Sequence, residues 1–326
     1  MKSLEPLDPS SGKAQPMTSN VTFSVIIPTY NRAKKIKSCL QAIVEQTYPK
    51  HKFEVIVVND GGCSLEAVVQ PFTSSVSIRL VNQKNAGPAE ARNRGAIEAV
   101  YDFLAFTDDD CYPDADWLQR LASRCCAHPQ ALIGGHTVNQ LTGNWYSTAS
   151  QWIVDVAYRY YNSNPDQAKF FASNNMVFPR RKFLKLGGFH PHFRTSEDRD
   201  ICDRWLLMGY PMIYDETVRI AHAHPLNLSS FWKQHLNYGR GAFNYHNIRA
   251  HRGAAPFQPD FSFYGKLLRY PFECASPPKG FVISFLMGLS QVASAVGYLL
   301  EKTHSSVVLN AGAAELFPLR DSANAE

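Results

Sequence analysis

The chain has 326 residues and a formal net charge of +5, long enough for one large domain or two small ones. The charge excess is modest, which suits a soluble protein that handles anions and is too weak to argue for a nucleic-acid partner. Seven cysteines, an odd number in no zinc-finger spacing and with Cys125 beside Cys126, argue against a metal finger or a disulfide scaffold and point to a reducing, cytoplasmic setting.

The opening "MKSLEPLDPSSGKAQPMTSN" lacks the apolar run of a signal peptide, and its Pro, Ser and Gly content predicts a disordered arm over residues 1–20. "FSVIIPTYNR" is a short apolar run ended by Pro28, a buried-strand signal. "AKKIKSCLQAIVEQTYP" places Ile36, Leu40, Ile43, Val44 and Thr47 on one helical face, with Pro49 as its stop. "FEVIVVNDGG" is a second strand with Asp60 at its carboxyl end. "EAVVQPF" is a short helical piece and "SIRLVNQ" a third strand. "PAEARNRGAIEAVY" is a helix opened by Pro88. "FLAF" is a fourth strand that runs into Thr107, Asp108, Asp109 and Asp110.

Strands apolar on both faces alternate with helices, which predicts an α/β, Rossmann-like, mainly parallel sheet flanked by helices. Ligands in such sheets bind beyond the carboxyl ends of the strands, so Tyr30, Asp60 and Asp108 should meet in one crevice. Three adjacent carboxylates repel one another at neutral pH. They need a bound cation, which takes carboxylate oxygens readily, or the solvent of a loop capping the next helix.

The second half is less regular. "YSTASQWIVDVAYRYY" predicts an aromatic-rich helix whose rings are core by default. "NNMVFPRRKFLKLGGF" predicts a short strand, a helix and a glycine stop. "SEDRDICDRWLLMGY" reads as a helix with Ser196 as N-cap, acids in its first turn and Gly209 at its end. "PMIYDETVRIAHAH" predicts two short strands. "LSSFWKQHLNYGRGAFNYHN" is helical, with Gly239 and Gly241 interrupting it.

"PTYNR" at 28–32, "VNDGG" at 58–62, "NAGPAEARNRG" at 85–95, "TDDD" at 107–110 and "SEDRDICDRWLLMGY" at 196–210 occur in that order, at the expected strand ends. Together they resemble the family 2 glycosyltransferases with the GT-A fold, over residues 23–245. The resemblance implies transfer of a sugar, with inversion, from a nucleotide-sugar donor, usually UDP-linked, to an acceptor hydroxyl, helped by Mg²⁺ or Mn²⁺. The acceptor class, whether glycan, lipid or small molecule, is left open. By the same resemblance Asp110 touches the metal, with Asp108 nearer the ribose or the metal's water shell. Asp60 meets the nucleobase, although a turn Asp before Gly61-Gly62 would look the same. Pro28, Thr29 and Tyr30 form the loop beneath the base, and Arg32 is a further donor-binding residue. Asn85 and Gly87 belong to the donor loop, Gly87 by close backbone approach, and Arg92 lies near the donor or the acids. Arg94 is an ordinary helix-surface partner of Glu90.

The resemblance makes Asp198 the general base, with Glu197 holding the local geometry or binding the acceptor; helix-dipole stabilisation of two acids is the alternative. His222, ahead of His224, fits a further metal or diphosphate contact, with a merely structural pair as the alternative. The "Q-x-x-R-W" of processive synthases is absent because Ile201 stands where its Gln would be, which favours addition of a single sugar.

"GFVISFLMGLSQVASAVGYLL", residues 280–300, is uncharged and near the length of a membrane span. Its Gln291 and small residues, with Lys266, Arg269 and Lys279 before it, favour peripheral contact at the cytoplasmic face of a membrane over spanning. The expected organisation is the arm (1–20), a GT-A domain (21–250) and a C-terminal helical extension (251–326). Two other classes compete: a nucleotidyltransferase, though "PTYNRAKK" lacks the glycines of its loop, and a non-catalytic nucleotide-sugar-binding protein.

Overall fold

A computed structural model describes residues 20–253, 258 and 260–308. The expected N-terminal arm, Asn20 aside, and residues 309–326 of the expected extension lie outside the described residues. The first half alternates as anticipated: β1 (Phe23–Thr29), α1 (Ala33–Val44), β2 (Phe53–Asn59), α2 (Glu66–Val69), β3 (Ser77–Asn82), α3 (Pro88–Glu98) and β4 (Phe103–Phe106). Then come β5 (Cys111–Pro113), α4 (Trp117–Ala127), β6 (Leu132–Asn139), α5 (Trp145–Tyr161), β7 (Met176–Pro179) and α6 (Arg180–Lys185). The chain continues through α7 (Glu197–Leu207), β8 (Met212–His222), α8 (Leu228–His251), α9 (Phe261–Cys274) and α10 (Pro277–Val308).

All eight strands form one sheet in the order β3-β2-β1-β4-β7-β6-β8-β5. The β3-β2-β1-β4 half and the β6–β8 pair are parallel, whereas β7 runs antiparallel to β4 and β6, and β5 antiparallel to β8. Alternation splits the buried strand residues between two faces. Val25, Ile27, Val55 and Val57 pack with Ile36 and Leu40 of α1 and Leu121 of α4. Ile26, Ile56, Val58 and Phe106 pack with Ala91 of α3 and Trp205 of α7. A third cluster, with Ala149, Phe231, Leu267, Ile283 and Met287, joins α5, α8, α9 and α10.

Several local expectations change. β1 runs through Pro28 rather than ending there. Ile26 O accepts from Thr107 N on the β4 side, and Pro28, two residues on, faces the same way past the last residue of β4, where no ladder partner is lost. α1 stops at Val44, which leaves Thr47 exposed. The two strands expected around Met212–His222 are one strand, whose register against β6 jumps from Gly135↔Asp215 to His136↔Arg219. α8 passes unbroken through Gly239 and Gly241. β5, β6 and α9 had no clear sequence signal, because β5 is three residues long and the first half of β6 is broken by Gly134-Gly135.

Candidate active site

β4 ends beside β1 and projects the aspartates past the carboxyl edge of the sheet. Each carboxylate there has a cation from the protein itself. Asp108 pairs with Arg92 at 2.7 Å, Asp109 with Arg32 at 3.1 Å and Asp110 with Lys35 at 2.8 Å. The triplet is therefore not the solvated loop weighed from the sequence, since Asp109 and Asp110 are buried. Thr29 Oγ1 donates to Asp109 at 2.6 Å, which fixes Thr29 on the acid. Burial raises the Asp109 pKa against the pull of Thr29 and Arg32.

Pairing of β5 with β8 sets Cys111 opposite His222, and Ala223 N donates to Asp110 O at 2.9 Å. That register brings His222 Nε2 to 3.2 Å from Asp110 Oδ1 and His224 Nδ1 to 3.5 Å from Oδ2. Both imidazoles thus reach the same carboxylate, and His224 is further held by Gln234 at 2.8 Å. Burial by itself would raise the Asp110 pKa, but hydrogen bonds with His222, His224 and Lys35 hold the carboxyl well below the usual range.

Arg92, on α3, is buried and bridges two elements: besides Asp108 it donates to Glu197 Oε1 at 3.0 Å. Glu197 and Asp198 open α7. Ser196 holds the N-cap position with φ +73°, in the left-handed region, and its hydroxyl makes no cap bond, unlike the expected cap. One guanidinium here faces three carboxylates. Burial, then the charge of Asp198, push Glu197 up to about 7 in spite of Arg92, which it shares with Asp108. Asp198 is half-buried, accepts from Arg199 N at 2.8 Å and is also raised by its enclosure. Tyr238 of α8, unmarked in the sequence and 45% exposed, lies within electrostatic reach of this group: burial, then Asp198, Glu197 and Asp108, push the phenol up.

Asp60 lies under a neighbouring loop with both oxygens engaged. Oδ1 accepts from Gln83 Nε2 at 2.7 Å and Ala86 N at 2.9 Å. Oδ2 accepts from Gly87 N at 2.9 Å and Asn85 Nδ2 at 3.2 Å. It is more than a local turn residue, because its partners come from the approach to α3. Gly87 has φ +97°, and a Cβ there would touch no protein atom within 4 Å, so within the protein its need is the backbone conformation. At Gly62, φ +90°, a Cβ would come within 1.9 Å of Asn31 Oδ1, which accepts from Cys63 N. The 30–32 and 60–63 loops are thereby locked edge to edge, with Tyr30 49% exposed at the mouth.

Asp110, Cys111 and His222 present ligand atoms within 4.8 Å of one another. Cys111 is buried, which pushes its thiol up and keeps it protonated, so the usable donors are a carboxylate and imidazole. That mixed oxygen–nitrogen set accommodates Mn²⁺ more readily than strictly oxygen-seeking Mg²⁺. Lys35 and Arg32 lean on Asp110 Oδ2, at 2.8 and 3.4 Å, whereas His222 meets Oδ1. Lys35 was passed over in the sequence although it sits in the first turn after "PTYNR". Arg94 pairs with Glu98 at 2.7 Å rather than with Glu90. Arg204 is a clamp inside the fold, bonded to Asp200, Leu186 O and Gly188 O.

A family model described as glycosyl transferase family 2 matches residues 24–187, half of the chain. Glycosyltransferase AglE of Haloferax volcanii is 39% identical over 124 residues, 37% of this chain and 41% of that protein. Pre-mycofactocin glycosyltransferase of Mycobacterium tuberculosis is 27% identical over 231 residues, 69% of this chain and 47% of that protein. The chain thus spans less than half the length of these two relatives. Among solved structures, mannosyltransferase PcManGT from Pyrobaculum calidifontis, in complex with GDP-Man and Mn²⁺, has a TM-score of 0.60 at 21% identity, over 91% of this chain and 83% of that one. That likeness is one of fold, the GT-A arrangement of sheet and helices.

Proposed function

We propose a reaction on one premise: the chain belongs to glycosyl transferase family 2 and is a glycosyltransferase enzyme. Neither a nucleotidyltransferase nor a non-catalytic binding protein fits that membership. The reaction is transfer of a sugar from a nucleoside diphosphate sugar to an acceptor hydroxyl, with inversion. The observation that carries this reading is Arg92, which ties Asp108 at the end of β4 to Glu197 at the start of α7. The donor side and the acid pair then lie across a single guanidinium. Asp198, half-buried and next to the anchored Glu197, takes the acceptor proton, while Glu197 holds the geometry. Arg32, Lys35 and Arg92 offer positive charge to a diphosphate. Asp60, Asn85 and Gly87 shape the base-side loop beside Pro28, Thr29 and Tyr30.

A divalent cation at Asp110 and His222, with Asp108 close by, would supply Lewis-acid neutralisation of the leaving diphosphate. Uracil is the base assigned to Asp60. Guanine is its competitor, since PcManGT is described with GDP-Man.

The test is acceptor-dependent release of nucleoside diphosphate from UDP- and GDP-sugars, alongside donor binding with and without Mn²⁺. Asp110→Ala should abolish Mn²⁺-dependent donor binding and His222→Ala should weaken it less. Unchanged donor affinity in Asp110→Ala would remove the metal assignment, and no release with any donor would remove the reaction.

A further inference from the structure

α10 is apolar on two opposite sides. Ile283, Met287, Ala293 and Gly297 face inward, with Ile283 and Met287 in the cluster that α5, α8 and α9 share. On the outward side Phe281, Phe285, Val292 and Leu299 are 66%, 70%, 54% and 60% exposed. Their spacing makes one helical stripe. α9 continues it with Phe261, Leu268 and Phe272, and the Phe272 and Phe281 rings meet at 5.0 Å. A groove of about 560 Å³ runs between the two helices, lined by Leu268, Phe285 and Val292 among others. An apolar face this continuous marks an interaction surface.

Cations flank it. Lys266 and Arg269 project from α9, and together with Arg159 of α5 they line a separate pocket of about 380 Å³. The only acid in that lining is Glu273, shared by Arg159 at 4.0 Å and Arg269 at 3.3 Å. The pocket therefore carries excess positive charge suited to a phosphate. Pro277–His304 is long and apolar enough to cross a bilayer, with mean hydropathy 1.6 over an 18-residue window, but a third of that window is buried against the protein. Its main partner, α8, carries Lys233, Arg240, Arg249 and several histidines, so α10 cannot cross without dragging charges into lipid. An apolar stripe beside a cationic rim fits the headgroup–acyl boundary instead.

We propose that the outward face of α9 and α10 docks on an anionic lipid bilayer, with a lipid phosphate seated in the Arg159–Lys266–Arg269 pocket. The proposal stands apart from the transferase reading, because none of its residues belongs to the crevice.

The test is sedimentation of the full chain with vesicles of phosphatidylcholine alone and of phosphatidylcholine with phosphatidylglycerol. Binding should appear with the anionic vesicles and weaken as salt rises. Lys266→Gln with Arg269→Gln should lower partitioning roughly tenfold or more. Phe281→Ser with Phe285→Ser should abolish it. These side chains are exposed, so both variants should keep the wild-type melting temperature and donor affinity. A chain that stays in the supernatant with anionic vesicles, or binding indifferent to both double variants, overturns the proposal. So does a dimer in sedimentation equilibrium that Phe285→Glu dissociates, which would give the face to a second copy.

Discussion

Burial and then the charge of Asp198 push the Glu197 pKa up to about 7, and Arg92, which also serves Asp108, offsets this only in part, so a proton is retained near neutrality. An acid raised in this way stabilises the fold fully below its ordinary value of 4.5 and loses that contribution as pH rises through 7. Glu197→Gln removes the titration. Between those limits the wild type should lose on the order of 3 kcal/mol relative to the variant, read from denaturant unfolding at several pH values. Parallel pH profiles for the two proteins would place the proton elsewhere. Asp198 is argued on different grounds. Asn keeps its shape but cannot take a proton, so Asp198→Asn should cut turnover by about two to four orders of magnitude while donor binding stays near normal. Calorimetric donor affinity beside transfer rate in one preparation checks both halves. An Asp198 whose loss destroyed donor binding would belong to the nucleotide site.

Among elements, α8 and α10 show why glycine misleads when read along the chain alone. Gly239 and Gly241 looked like interruptions because glycine costs a helix interior about 1 kcal/mol relative to alanine. In the fold a Cβ at Gly239 would come within 1.9 Å of Ser294 O, and one at Gly297 within 1.9 Å of Leu236 O. The two helices approach backbone to backbone, and the local cost is outweighed by that contact. Gly239→Ala, stabilising in an isolated helix, should here destabilise by about 1–3 kcal/mol through overpacking. A raised melting temperature would show that the approach is looser than these distances say. At the other end of α8, Arg249 and Arg252 reach Asp203 and the fully buried Asp200 of α7, at 3.1 and 2.8 Å. α8 therefore ties the acid-bearing helix to the C-terminal pair.

Taken as a whole molecule, the C-terminal helices complete a core rather than hang from it: Leu267, Ile283 and Met287 cover Ala149 of α5 and Phe231 of α8. Deleting residues 277–326 should expose that cluster and leave a chain that aggregates on expression. A soluble, folded truncation that binds donor would make α10 a dispensable appendage. The βαβ half, the order of the motifs and the acids at strand ends were legible along the chain. Hydrophobic periodicity, prolines and glycine turns act over a few residues and are written in sequence order. Beyond Arg92 near the acids, which cation serves which carboxylate was not legible. Thr29 meets Asp109 across 80 positions and Arg92 meets Glu197 across 105. The places of Lys35, His224 and Tyr238 likewise follow from strand order, the β5–β8 register and the seating of α8. Burial of charge makes those distant pairings necessary, since an unpaired carboxylate in a dry crevice costs more than any local preference can return, and only the packed sheet brings the partners within reach.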